Sequence, residues 1–453
     1  MKVCDIVKLK KVKDVDSSSI KKKKLVKIKN KSKEKKNNKK VDFFCKIKKL
    51  FSKVNVFKSE NKVSYSFKEV IVIMLFSLGL GFFACFSFVM IFNNGRDYKT
   101  LTKDFSKLVD TYYAIKDNYY GELDTEMLVD SAVEGMVGAV GDVYTSYSDA
   151  GSTDEFMQTV SGVYEGIGCT VGMSLNGGII IVDMFKDSPS EKAGLKIGDI
   201  IIKIDDIDYS DKTSNDMSNY VRNNGGSEVN LTVLRNNEEI DVVVKREKIE
   251  IPYVTSDIIE KEGKKIGYIN ITLFSSVANN QFKEALEKLE NDNIDSLVID
   301  VRGNSGGYLS SVTDIINMFL EKGSIIYQLK DNNGVEVKKD NTKEKREYPI
   351  AVLVNEGSAS ASEILAAAIK ESYGGIVVGT NTFGKGTVQQ TTTLPDGSMV
   401  KYTVQNWLTP DGNWINEVGL EPTDIVEISD EYLKNPVKEN DNQLNRAIEF
   451  IIK

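Results

Sequence analysis

The chain reads as an α/β core that carries an inserted β-rich α+β domain, preceded by an N-terminal helical segment and one transmembrane helix. Three observations predict this. Residues 264–453 alternate short apolar runs, Gly-rich turns and helical patterns, which is the signature of βαβ units. Residues 160–250 change to short β-rich runs separated by Gly and Asn turns. Val70 to Phe92 is an unbroken run of 23 residues without a charge. A length of 453 residues, 41% hydrophobic and 28% charged, is too great for one small core and suits two to four units.

Taken in order, residues 1–69 form a basic tail. Residues 1–68 hold 24 Lys against 6 acidic residues, whereas the remaining 385 hold 35 basic and 60 acidic, so the net charge of −7 hides a split. The tail offers little to pack and is expected to be largely disordered. The apolar run 70–92 follows. At 1.5 Å per residue it reaches about 34 Å, against a bilayer core of about 30 Å. A signal peptide has an apolar region of about 7–15 residues close to the N-terminus; this run is longer and starts later. The Lys excess before it places the N-terminus in the cytoplasm and everything after it outside. The tail is thus read as a topology signal at an anionic membrane surface, and no nucleic-acid partner is expected.

Residues 93–156 read as helical. Leu101, Phe105, Leu108, Val109 and Tyr112 share one face, as do Leu128, Ala132, Val133, Met136 and Val137, and Gly141-Asp142 ends the second pattern. This segment is assigned to packing or dimerisation rather than chemistry, so a homo-oligomer would form through it. The β-rich domain takes residues 157–248, with strands expected at 169–173, 178–182, 199–204, 228–234 and 240–245 and helices at 190–194 and 214–222. Residues 249–453 follow, with strands at 265–271, 296–301, 350–354 and 376–378, helices at 279–291, 310–320 and 360–371, and a polar hairpin at 330–348.

Composition removes several chemistries. Histidine is absent, which excludes Ser-His-Asp and Cys-His mechanisms and His-Glu-x-x-His zinc sites. The four cysteines, at 4, 45, 85 and 169, form no CxxC pair, which argues against a zinc knuckle, a thioredoxin motif or a disulfide framework. No metal and no cofactor is implied.

Three motifs remain. Asn355-Glu-Gly-Ser-Ala-Ser-Ala-Ser-Glu363 follows the strand 350–354 and opens an Ala-rich helix, placing serines where helix N-terminal amides favour an anion. Asp300-Val-Arg-Gly-Asn-Ser-Gly-Gly307 follows another strand, and its glycines leave amides free to face an oxyanion. Gly379-Thr-Asn-Thr-Phe-Gly-Lys-Gly386 begins like a phosphate-binding loop. However, Gly386 stands where such a loop needs Ser or Thr, and a β-like run follows instead of a helix. A nucleotide-hydrolysing reading is therefore set aside. With no His, Lys385 is the candidate base for a turn serine. It has to be desolvated to be neutral near pH 7. On a strand, Lys385, Thr387 and Gln389 would share one face, with Gln389 orienting the amine. A fourth feature, Tyr164-Glu-Gly-Ile-Gly168, presents amides to a peptide's terminal carboxylate, with the peptide adding as a strand.

In this combination the chain resembles a known family. Residues 157–248 look like a PDZ domain of the bacterial protease type, and residues 249–453 like the tail-specific, or carboxy-terminal processing, peptidases of the S41 type. The motifs NEGSASASE, DVRGNSGG, TFGKGTVQ and WLTPDGNWINEVGLEPT carry the resemblance in this order. The family uses the middle Ser of the SASAS run with a Lys 25 positions on, which Ser360 and Lys385 match. The residues alone do not choose between Ser358, Ser360 and Ser362. The resemblance implies Gln389 as orienting residue, Gly306 and Ala361 as oxyanion hole, and Gly166, Ile167 and Gly168 as carboxylate-binding loop. Ser305 and Val143 stand where the family has Pro, and neither position supplies chemistry. What is expected is a membrane-anchored serine endopeptidase with a Ser-Lys dyad and its catalytic domain outside the cytoplasmic membrane. It would act on proteins whose free C-termini enter the PDZ groove. The rival is a non-catalytic PDZ scaffold on a protease-like fold.

Overall fold

A computed structural model describes residues 67–92, 98–174, 178–223 and 226–453. The Lys-rich tail up to residue 66 lies outside the described residues. The chain divides at Tyr120 and Gly121 into two compact units. Among its described residues the first holds two helices, α1 (Phe67–Phe92) and α2 (Tyr98–Asn118). The expected transmembrane run coincides with α1, whose side chains are described over 71–83 and are exposed there. Among the described residues no helix is long and apolar enough to cross a membrane, so the span rests on the sequence.

The second unit opens with α3 (Thr125–Gly138), whose N-cap Asp124 accepts from the amides of Glu126 and Met127. A short strand β1 (Ser146–Ser148) and helix α4 (Ala150–Ser161) follow. The expectation of helix throughout 93–156 is corrected at β1. Gly141 takes φ +73 and stops the helical path, and residues 146–148 pair instead with a distant strand.

The PDZ-like region is entered and left through a two-stranded antiparallel ribbon, β2 (Val163–Gly166) against β9 (Glu247–Glu250). Between them lie β3 (Cys169–Met173), β4 (Ile179–Met184), the short helix α5 (Pro189–Lys192), β5 (Ile200–Ile204), β6 (Ile207–Asp208), α6 (Ser214–Asn223), β7 (Glu228–Arg235) and β8 (Glu238–Lys245). The main sheet runs in the order β3-β4-β5-β7-β8. Ile179, Ile181, Ile201, Ile204, Leu231 and Val233 alternate inward along it and meet Met217 and Val221 of α6 in one core. Alternation of this kind is what a sheet with one buried face requires. Asp199 is buried and is held by both the Nε and Nη2 of Arg235 at 2.7 and 2.6 Å.

The larger region places β10 (Val254–Lys261), β11 (Lys264–Ile271), β12 (Ser296–Asp300), β15 (Ile350–Val354), β16 (Ile376–Gly379) and β19 (Asp424–Ile425) side by side in that order. The strands from β11 to β19 are parallel, and β10 is an antiparallel edge. Strands β12 and β15 are buried at every position, as central parallel strands covered on both faces are. Helices α7 (Ala278–Asn291), α8 (Leu309–Ile316) and α9 (Ala361–Ala368) cover one face. The C-terminal helix α11 (Asn442–Ile451), which follows the short α10 (Asp430–Lys434), covers the other through Leu444, Ala447, Ile448 and Ile451. The expected helix 360–371 ends at Ala368 and continues as a π turn, Ile369–Tyr373.

A second sheet is built on β18 (Met399–Leu408), which pairs with β17 (Thr387–Thr393) on one side and with β1 and β13 (Ile325–Asp331) on the other; β14 (Gly334–Lys339) completes it. The polar hairpin expected at 330–348 is corrected to β13 and β14, which end at Lys339, with residues 340–348 outside any strand; it is not free-standing, because β13 is locked to β18.

Candidate active site

The loop after β12 is fixed first. Arg302 donates to Asp300 and to Asp441, the N-cap of α11, at 2.6 and 2.7 Å. Tyr268 adds a bond to Asp300 at 2.8 Å. Next along the loop, Asn304 is fully buried. Its Nδ2 donates to the Ile271 carbonyl (2.9 Å), and its own carbonyl accepts from the Ala359 amide (3.0 Å) and the Ser362 hydroxyl (2.8 Å). One side chain and its backbone thus join the Gly loop to the serine turn.

The three serines separate clearly. The Ser358 hydroxyl is buried and donates to the Val301 carbonyl (2.8 Å) while accepting from the Asn355 amide (3.0 Å). The Ser362 hydroxyl is buried and spent on Asn304. Ser360 alone of the three is partly exposed. It sits at the N-cap of α9 with φ +53 and ψ −111. A non-Gly residue held there costs about 1–3 kcal/mol and persists only where its surroundings force it. Two contacts do so here. Its amide donates to Glu363 Oε2 at 2.7 Å, and Gly306 lies so close that a Cβ there would sit 2.9 Å from the Ser360 Cβ.

Glu363 is the hub of the site. It is fully buried. Oε1 accepts from the Thr382 hydroxyl (2.6 Å) and the Gly384 amide (2.7 Å); Oε2 accepts from the amides of Ser360 (2.7 Å) and Lys385 (3.0 Å). Burial pushes its carboxyl above the usual range, although all four donors pull it down. This one carboxylate ties the serine turn to the Lys385 segment. Among the described residues no hydrogen bond joins the Ser360 hydroxyl to the Lys385 amine.

The Lys385 amine sits over the Tyr144 ring at 5.0 Å from its centroid. Burial holds it below its ordinary value, with help from the positive charge of Lys401, while Glu363 and Asp142 oppose the shift. Both tryptophans of the chain hold this backbone. The indole of Trp407 donates to the Lys385 carbonyl at 2.7 Å, and that of Trp414 to the Gly386 carbonyl at 3.0 Å. Gly384 and Gly386 lie against the backbone at residues 416–419, where a Cβ would come within 2.8 Å of Gly419 N and Asn416 N. The glycines of the loop-like motif thus serve close backbone packing, and the chain runs on into β17, not into a helix.

Lys385 precedes the strand, so the expected alternation holds only from Thr387. Gln389 Nε2 donates to the hydroxyls of Thr387 (2.9 Å) and Thr403 (3.3 Å), and none of its described bonds reaches Lys385. Thr403 is brought opposite Gln389 by a bulge, since the pairing passes from Val388–Gln405 to Gln389–Thr403.

The Gly306 amide, expected to face an oxyanion, donates to Asn304 Oδ1 at 2.9 Å. Gly306 has φ +111 and carries no Cβ, so the Ser305–Gly306 peptide that bears this amide can turn about it without a Cβ penalty. Ala361 is the first helical residue, and its N–H has no intrahelical acceptor. Glu371 accepts from the Asp411 amide at 2.8 Å, bracing a loop.

In the β-rich domain, Gly166 ends β2 and Ile167 and Gly168 link it to β3. Ile167 is buried, and Gly168 takes φ +76. An apolar groove lined by Ile167, Val171, Met217 and Val221 runs beside them. The Tyr164 ring lies across its end, close enough that a Cβ on Gly166 would be 2.3 Å away, and the Arg222 guanidinium stacks over that ring at 5.6 Å.

Sequence reading missed the contribution of residues 142–148. Tyr144 lies under the Lys385 amine, and Asp142 and Thr145 bond Thr403, the residue opposite Gln389. The Asp-x-Tyr-Thr-Ser-Tyr stretch interrupting a helical pattern was the available signal.

Residues 265–426 match the peptidase family S41, residues 165–245 a PDZ domain, and residues 89–152 the N-terminal domain of the activating protease CtpB. Among curated proteins, the carboxy-terminal processing protease CtpB of Bacillus subtilis (strain 168) is 40% identical over 339 residues, covering 74% of this chain and 70% of that protein. The carboxy-terminal processing protease CtpA of the same strain is 39% identical over 339 residues, covering 74% and 72%. Among solved structures, a photosystem II D1 C-terminal processing protease is 25% identical, covers 74% of this chain and 88% of its own, and superposes with a TM-score of 0.43.

Proposed function

Since the chain belongs to the carboxy-terminal processing serine peptidases of family S41 and carries a PDZ domain, we propose that it is a membrane-anchored endopeptidase in which Ser360 is the nucleophile and Lys385 its general base. The observation that carries this reading is the single buried carboxylate of Glu363, which holds both the strained Ser360 amide and the Lys385 amide. Removal of Lys385 from water keeps its amine available to take the Ser360 proton. The Ala361 amide and the Gly306 amide stabilise the oxyanion, the latter after turning away from Asn304. The apolar groove beside residues 166–168 takes the C-terminal tail of a substrate or activator, with the carboxylate on the amides of those residues. The Lys-rich tail and the 70–92 run anchor the chain with its N-terminus in the cytoplasm and the peptidase outside.

The test uses the full chain in detergent with an unstructured protein such as casein. Cleavage is expected from the wild type and is lost in Ser360→Ala. A short peptide with a free apolar C-terminus is expected to stimulate cleavage, and its amidated form is not; equal effects of the two would remove the carboxylate reading. Protease added to intact protoplasts is expected to digest residues 93–453, and digestion only after lysis would reverse the topology.

A further inference from the structure

The segment assigned on sequence to packing alone reaches the base. Strand β1 pairs with β18, with Ser146 opposite Lys401. Just before it, Asp142 Oδ2 accepts from the hydroxyls of Thr145 (2.5 Å) and Thr403 (2.6 Å), and Oδ1 from the Tyr144 amide (3.2 Å). The Thr145 and Tyr144 bonds are those of an Asp capping its own turn. The Thr403 bond is different, because it spans 261 residues and ends beside Gln389.

We propose that Asp142 is a positioning residue for the peptidase reaction: through the Thr403 hydroxyl it sets which end of the Gln389 amide faces Thr403, and so leaves the Gln389 carbonyl oxygen as the acceptor for the Lys385 amine. This rests on the reading of Lys385 as base. The logic is one of donors and acceptors. Burial pushes the Asp142 carboxyl up, but the bonds from Thr145, Thr403 and Tyr144 outweigh it and hold the group below its ordinary value. It is an ionised carboxylate and can only accept. The single Thr403 proton is therefore spent on Asp142, and towards Gln389 the Thr403 oxygen can only accept. The Gln389 group facing it has to be the NH2, as found at 3.3 Å, with the other N–H on Thr387 at 2.9 Å. Both donors are then used and Oε1 remains. Were Thr403 free to donate, the amide could turn over and present N–H groups to an amine that needs an acceptor.

Asp142→Asn breaks this logic while conserving shape, because an amide at 142 can donate to Thr403 and release its proton towards Gln389. In the full chain, with a quenched fluorescent unstructured peptide as substrate, Asp142→Asn is expected to lower kcat about tenfold, roughly the loss of one hydrogen bond to a charged group, with KM unchanged. Gln389→Ala is expected to lose a similar factor, and the double variant no more than either alone. Thr403→Val is expected to match Asp142→Asn, and Thr403→Ser, which keeps the hydroxyl, to recover most of kcat. The Val and Ser pair carries the test alone if Asp142→Asn does not fold. The relay is overturned if the losses of Asp142→Asn and Gln389→Ala multiply, if KM moves and kcat does not, or if Thr403→Ser behaves as Thr403→Val. Should Gln389→Ala leave kcat unchanged, the orienting role of Gln389 falls and the relay with it. Should Gln389→Ala lose activity while Asp142→Asn keeps it, the relay alone falls.

Discussion

The two halves of the site are built in opposite ways. The serine half is one motif turn braced by one loop: a buried strand, a turn and a helix, with the Ser358 and Ser362 hydroxyls bonded to the Val301 and Asn304 carbonyls of the loop after β12. The lysine half is assembled from far-apart segments. Tyr144, Trp407 and Trp414 hold the Lys385 segment, and Thr403, itself bonded to Asp142, reaches Gln389. Glu363 joins the halves. The contrast teaches that a strained nucleophile is held by its turn and the one glycine loop packed on it, whereas a desolvated base needs walls brought from several segments, because a turn cannot exclude water from a long flexible amine.

The largest effect expected is on chemistry. Ser360→Ala and Lys385→Ala are each predicted to lower kcat by about 10⁴-fold or more, and the double variant by no more than either alone, since the two act as a unit. Steady-state cleavage measures this, and multiplied losses would break the pairing of the halves. The serine half then makes a prediction of the opposite kind. Ser358→Ala removes the hydroxyl donated to the Val301 carbonyl, which keeps only the longer bond from the Asn304 amide at 3.2 Å, and takes from the Asn355 amide its described acceptor. The expected cost is about 1–3 kcal/mol of stability, read as a lower Tm, with cleavage retained. Loss of activity at an unchanged Tm would move the nucleophile to Ser358.

This distinction bears on what the sequence could show. The βαβ order, the PDZ-like insertion and the motif turns were legible because each is a local pattern of strand, glycine and helix. The choice among three serines was not legible, since it depends on which hydroxyl reaches Val301 or Asn304, and both lie more than fifty residues away. Strands β1 and β18 were missed for a related reason. Residues 146–148 form too short a run to show a period, and their pairing partner lies about 250 residues on. The role of Gln389 was read from strand alternation and from the resemblance, and neither reveals a bulge in the facing strand.

Two smaller predictions sharpen the lysine half. Lys401→Met removes a positive charge that helps hold the Lys385 amine below its ordinary value. The Lys385 value then rises, less of the amine is neutral at a given pH, and the rising limb of kcat/KM against pH moves to higher pH. A limb that stays in place would remove Lys401 from the environment of the base. Trp414→Phe deletes one neutral hydrogen bond to the Gly386 carbonyl from a side chain that is 52% exposed. A loss of about threefold in kcat is expected, smaller than for the fully buried Trp407, whose indole holds the Lys385 carbonyl itself.

The pairing of a strained Ser360 with a desolvated Lys385 is tested most directly by covalent labelling. The full chain is treated with a fluorophosphonate across a range of pH, and the modified residue is located by peptide mapping. The label is expected on Ser360 alone, with a rate that rises with pH through an apparent pKa below the ordinary lysine value, and no appreciable labelling in Lys385→Ala. Label on Ser358 or Ser362, or Ser360 labelled at the same rate without Lys385, would contradict the account.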